Sequence, residues 1–131
     1  MNRMSKLGFY QRWKNAEWYK NYLRKKEERA RQERWQAKRE IVSHYTQGTN
    51  ACANPFGQHE KPYTDIRTLT IDHINGGGSK HKRELKVKKA PLHGNYLYAW
   101  LIENNYPDGF QILCFNCQRI KQIENHQFRK N

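Results

Sequence analysis

Apolar and polar positions divide the chain into two textures that meet near residue 45. Residues 10–43 are strong helix formers with Glu and Arg interleaved, as in "RKKEERARQERWQAKRE", and neither glycine nor proline interrupts them. Such a segment predicts one long helix supported by charge pairs one turn apart rather than by a buried stripe. Tyr10, Trp13, Trp18, Tyr22 and Trp35 do not repeat on a heptad, so a coiled coil is not expected.

Beyond residue 45, short apolar runs are separated by turn formers. "TQGTNACANPFGQHEKPYTD" is rich in Gly, Pro, Asn and Thr and predicts a loop. "IRTLTIDHI" sets Leu69 and Ile71 against Thr68 and Thr70, the alternation of a strand. "NGGGSKHKRELKVKKAPLHG" reads as a long basic loop. "NYLYAWLIENN" puts apolar residues at 97, 98, 101 and 102 on one helical face, and Tyr106-Pro107-Asp108-Gly109 closes it with a turn. "FQILC" is a second short strand, and "NCQRIKQIENHQF" a closing helix with Ile120 and Ile123 inward. There are no internal repeats. The expected organisation is a basic helix over 1–45 and an α+β domain over 46–131.

Charge identifies the class of partner. The chain carries 25 Lys and Arg against 12 Asp and Glu, a formal charge of +13 over 131 residues. A solvated surface needs no such excess, whereas a polyanion rewards it by counterion release, so nucleic acid is the expected partner. Residues 1–45 alone hold 13 Lys and Arg and 5 Glu. That helix is either a solvated arm or one that lies on nucleic acid, its cations on phosphates and its aromatics stacking. Membrane is the weaker fit: no stretch approaches the roughly 20 apolar residues of a spanning helix, and the N-terminus lacks the apolar core of a signal peptide. An intracellular, reducing compartment is expected, such as a bacterial or phage-infected cytoplasm. Three cysteines, an odd number, argue against a disulfide framework and leave metal binding open.

Cys114-Phe115-Asn116-Cys117 is a C-x-x-C where strand turns into helix, a geometry in which two thiolates converge on one ion. Cys52 precedes the first strand, and a two-stranded hairpin brings it beside that pair. His59, in the same loop, supplies a fourth ligand, with His44 as the next candidate. Cys52, His59, Cys114 and Cys117 therefore form a candidate structural Zn²⁺ site; three buried free thiols are the alternative. A closed four-ligand site leaves no position for a reactive water, and a core this small gains from a staple. Any chemistry belongs elsewhere.

That place is "LTIDHINGGGSKHKREL…GFQILCFNCQRIK", which resembles the HNH endonucleases over roughly residues 50–126. The shared features are a strand ending in Asp72-His73, a second strand, then L-C-x-x-C and a helix. The resemblance implies a zinc-stapled ββα-metal finger that hydrolyses phosphodiester bonds in DNA, most simply double-stranded, leaving 5′-phosphate and 3′-hydroxyl ends. His73 matches the general base, since neutral imidazole accepts a proton near pH 7. Asp72 matches a ligand of the catalytic Mg²⁺ or Mn²⁺, and Gln118 stands where the family usually has His or Asn as the second. Gly76, Gly77 and Gly78 let the strand end bend and give a sugar-phosphate backbone clearance. Lys80, His81, Lys82, Arg83, Lys86, Lys88 and Lys89 follow as an electrostatic clamp, and Lys121 is expected to reach phosphate. Two departures stand out. The family's middle Asn falls near Gly109, beside Asp108, and a glutamine at 118 reaches one methylene further than an asparagine. The alternative is an HNH-derived protein that binds nucleic acid without cutting it, within a larger RNA–protein assembly.

Overall fold

The computed structural model of the protein describes residues 6–88 and 95–125. Two helices open it, α1 (Lys6–Trp13) and α2 (Glu17–Tyr45). The single helix expected over 10–43 is thus interrupted at Lys14-Asn15-Ala16, where Ala16 takes an extended backbone and starts α2. Nothing in the charge pattern marks that break. At 29 residues α2 is about 44 Å long. Its first five turns hold no buried residue; burial begins at Ala37 and continues with Ile41 and Val42.

A two-stranded antiparallel sheet follows, β1 (Leu69–His73) against β2 (Phe110–Cys114), and α5 (Phe115–Glu124) leaves β2 without a spacer to pack against both strands. Between the strands lie α3 (Gly78–Lys88) and α4 (Tyr96–Glu103). The molecule is a small α+β domain, as expected. The expected basic loop over 75–94, however, contains α3. Its three glycines argue against helix, yet only Gly76 and Gly77 have left-handed backbones; Gly78 already belongs to the helix, and Leu85 anchors it in the core.

The core has two parts on either side of the end of α2. Val42 joins Cys52, Leu69, Ile112, Leu113, Cys114 and Cys117; its neighbour Ile41 joins Leu85, Leu97 and Leu101. Tyr45 and Ile71 pack on both parts, and the Tyr45 hydroxyl donates to the Pro107 carbonyl at 2.7 Å. The last turns of α2 are therefore built into the same core as the sheet. Two inward faces differ from expectation. On α4, Leu97, Ala99 and Leu101 are buried while Ile102 is exposed. On α5 the buried positions are Cys117 and Lys121, one turn apart, whereas Ile123 is exposed. Among the described residues no helix is long and apolar enough to cross a membrane.

Candidate active site and metal centre

The cysteine cluster is assembled by backbone bonds. Ala53 N–H donates to the Ile112 carbonyl at 2.8 Å, seating the Cys52 loop along β2, and Phe115 N–H donates to the Thr68 carbonyl at 3.1 Å. Asn54, at φ 48°, turns the loop back, and its side-chain amide donates to the His59 carbonyl at 2.7 Å. The ligand atoms of Cys52, His59, Cys114 and Cys117 consequently lie within 4.8 Å of one another. His44, the reserve candidate, is elsewhere, stacked on Tyr106 at 4.3 Å.

Donor chemistry tests whether these four residues fit a metal. His59 Nδ1 is 2.8 Å from the Lys61 carbonyl and must donate to it, so Nε2 carries the lone pair. That Nε2 is buried with no hydrogen-bond partner, a costly state for a polar atom unless something binds it. Asn54 N–H donates to Cys52 Sγ at 3.3 Å, and the Gln58 amide donates to Cys117 Sγ at 3.4 Å. Burial raises a thiol, but the Cys117 backbone N–H, the Cys117 and Cys52 thiols and the Asn116 N–H outweigh it and hold Cys114 below its ordinary value. Burial pushes Cys117 up to about 12. Three such neighbours cannot all ionise without a cation between them. The cluster fits, and it can hold a structural metal such as zinc.

Asp72 and His73 turn to different neighbours, as adjacent strand residues must. Asp72 is buried. Its Oδ2 accepts from Gln111, its cross-strand partner, at 2.8 Å and from the Lys121 ammonium at 2.5 Å; its Oδ1 accepts from Gln118 at 3.0 Å. Lys121 also donates to the His73 and Ile74 carbonyls at 2.7 and 3.0 Å. With its three donors spent and its side chain buried, Lys121 does not reach phosphate; it ties α5 to the end of β1. Where the family's middle Asn is absent, a backbone bond ties the strand ends: Ile74 N–H donates to the Gly109 carbonyl at 2.9 Å.

His73 faces α3. Its Nε2 is 2.8 Å from Nδ1 of His81, and the edge of Phe110 lies 4.7 Å away. Burial first, then the neighbouring His81 and Lys82, holds its imidazole below the ordinary 6.5, so it is neutral at pH 7. His81 is half-buried against Trp100 and is not part of a surface clamp. A groove of about 760 Å³ runs over Asp72, His73, the three glycines and Gln118, and Lys80, Lys82 and Arg83 line it. An adjoining cavity of about 450 Å³ shares Thr70, Ile71, Lys82 and Phe115 with it and extends the track to Lys38. Lys86 and Lys88 fall on α3 with their side chains outside the described residues, as is all of Lys89.

Asp72 and Gln118 are the residues that could hold a catalytic ion, and Thr70 decides whether they fit. The Thr70 hydroxyl contacts the Leu113 carbonyl at 2.8 Å and Gln118 Oε1 at 3.1 Å, yet it has one proton to give. With that proton on Leu113, Thr70 can accept from the Gln118 NH₂ after a half-turn of the amide. Gln118 Oε1 then faces Asp72 Oδ1 across about the same 3.0 Å. As placed, however, the Gln118 amide donates to Asp72 Oδ1, and only with the amide turned would these two residues present oxygens to an ion.

Sequence reasoning missed Gln111, Thr70 and the contact of His81 with His73. The first was findable, because pairing "LTIDH" against "FQILC" sets Gln111 opposite Asp72. The last was hidden by reading α3 as loop. A scan against protein-family models, a search of curated proteins and a search of solved structures return no match.

Proposed function

We propose that the protein is a metal-dependent endonuclease or nickase of HNH type acting on DNA, with a ββα-metal core and a zinc staple. One observation carries the reading. A buried carboxylate, a neutral imidazole and a side-chain amide meet at one cation-lined groove, on two antiparallel strands and the helix that follows them. In this reading His73 takes a proton from water as the water oxygen bonds to phosphorus. The P–O3′ bond breaks, O3′ leaves with its electron pair, and solvent protonates it. Asp72 and Gln118 would hold one Mg²⁺ or Mn²⁺, which when bound supplies charge neutralisation at the phosphate and the departing oxygen. Lys80, Lys82 and Arg83 hold the DNA backbone, and Lys121 holds the Asp72 carboxylate in place.

A second reading, a protein that binds nucleic acid without cutting it, is favoured by the three donors already on Asp72. Supercoiled plasmid separates the two. With Mg²⁺ or Mn²⁺ the wild type should give nicked or linear product, and His73→Ala should be roughly 10²–10⁴-fold slower at unchanged DNA affinity. A wild type that binds plasmid yet leaves it intact with every divalent ion tried is the binding protein.

A further inference from the structure

Three glycines separate the candidate base from the first basic turn, and they do different jobs. Gly76 and Gly77 sit at φ 77° and 82°, where side chains are strained, and they turn the chain from β1 into α3. Gly78 has no such conformation and is the first residue of α3, a position any residue can occupy. What sets it apart is what a side chain would meet. A Cβ on Gly78 would stand 3.0 Å from His73 Nδ1 and 3.4 Å from its Cε1. The nearer value is a crowded contact for a carbon, one the ring could meet only by shifting. Gly78 thus keeps side-chain bulk off one ring nitrogen of His73, and both residues line the groove.

The other nitrogen is occupied. His73 Nε2 meets His81 Nδ1 at 2.8 Å, with the rings at 83°. His81 is in turn held edge-on to Trp100, at 4.4 Å and 84°. Gly78 and His81 are three residues apart on α3, so one helical turn presents both the bare glycine and the second imidazole. Two neutral imidazoles joined in this way share one N–H, and whichever ring donates it gives up its lone pair at the contact.

We propose that His81 is the positioning residue of the base: it accepts the Nε2–H of His73 and so leaves the Nδ1 lone pair free for the attacking water, on the side of the ring that Gly78 keeps clear of a side chain. The inference rests on the nuclease reading and explains how His73 is aimed without a carboxylate partner. An imidazole acceptor is uncharged, so it fixes tautomer and orientation without raising the charge of the groove.

Nitrogen-15 NMR of the histidines in the full chain tests the contact without reference to cleavage. His73 should be in the Nε2–H form in the wild type and become a mixture of tautomers in His81→Ala. A His73 in the Nδ1–H form, or one unchanged by His81→Ala, overturns the proposal. In plasmid cleavage, His81→Ala should lower kcat roughly 10²-fold or more with KM unchanged. His81→Asn, whose amide oxygen stands near the place of Nδ1, should recover most of the loss and keeps the test open if the alanine variant folds poorly. Gly78→Ala should keep its circular dichroism and DNA affinity and lose at least as much kcat, because its methyl crowds the Nδ1 side of the His73 ring and hinders a water there. Cleavage by Gly78→Ala or His81→Ala at the wild-type rate overturns the assignment. A wild type that cuts nothing while His73 is in the Nε2–H form refutes the nuclease reading, and with it the role given to His81, but not the contact.

Discussion

Replacing Lys121 by methionine removes one ammonium and leaves the volume of its stem. In the wild type that ammonium is buried and donates to Asp72 Oδ2 and to two carbonyls, and the carboxylate it meets is 5% exposed. After the change, Asp72 keeps only the amides of Gln111 and Gln118, both uncharged, so a buried carboxylate stands without a counter-charge. Breaking a buried pair from one side costs about 3–5 kcal/mol, a large share of the roughly 5–15 kcal/mol that holds a domain of this size. For a urea slope of about 2 kcal/mol per molar, the midpoint should fall by roughly 2 M. Asp72→Asn combined with Lys121→Met should cost less than the two single changes added together, because neither charge is then stranded. The uncompensated carboxylate should also seek another cation, so millimolar Mg²⁺ should raise the midpoint of Lys121→Met more than that of the wild type. A Lys121→Met midpoint within about 0.5 M of the wild type, about 1 kcal/mol at that slope, would mean that the pair behaves like a solvated surface bridge, which refutes its reading as the buried brace of the site.

Three further outcomes are expected. Chelation, or Cys117→Ser, should unfold the domain, and elemental analysis should find about one zinc per chain; a folded, zinc-free protein indifferent to chelator would disprove the staple. Deleting residues 1–33 removes ten Lys and Arg with four Glu and spares the buried part of α2, so the slope of log K against log salt for DNA should become shallower by about 0.9 for each phosphate that is no longer neutralised; an unchanged slope means the arm points elsewhere. Burial first, then the charges of Asp108 and Tyr106, raises the Tyr45 phenol from 10.0 to about 12, so its folded form holds a proton that the unfolded chain releases. Stability should therefore fall as pH rises from about 10 to 12, and Tyr45→Phe should flatten that fall in denaturation midpoints measured across the range.

Legibility in the sequence followed the range of the interactions. The two strands and the start of α5 were readable because alternation and the C-x-x-C are local patterns, and the four cluster residues were readable because metal ligands come from few residue types. What failed depended on partners distant in sequence. Lys121 reads as a surface cation until β1 is placed beneath α5, where the carboxylate of Asp72 and two carbonyls offset the cost of burial. His81 reads as one more member of a basic run until α3 is recognised as a helix, which puts it three residues from Gly78 and against His73. The glycines concealed that helix, since a residue chosen for the space it leaves looks the same in sequence as one chosen for its backbone freedom.

The cluster and the groove are also less separate than a division into structural and chemical parts suggests. Cys114 ends β2 and caps α5, and Cys117, Gln118 and Lys121 all lie within the first seven residues of that helix. The cysteines fix where α5 begins and how it is rotated; that rotation puts Gln118 at Asp72 Oδ1 and Lys121 at Oδ2. Rotating α5 by one residue, about 100°, would take both away from the carboxylate together. The same thiols therefore hold the core closed and set the register in which the carboxylate finds its donors. The nearest tie on the other side of the sheet is the backbone bond from Ile74 to Gly109, which fixes the end of β1 without fixing any helix. Partial loosening of the cluster should reach the Asp72 carboxylate through Gln118 and Lys121 before it reaches the His73 ring, whose neighbours are His81 on α3 and Phe110.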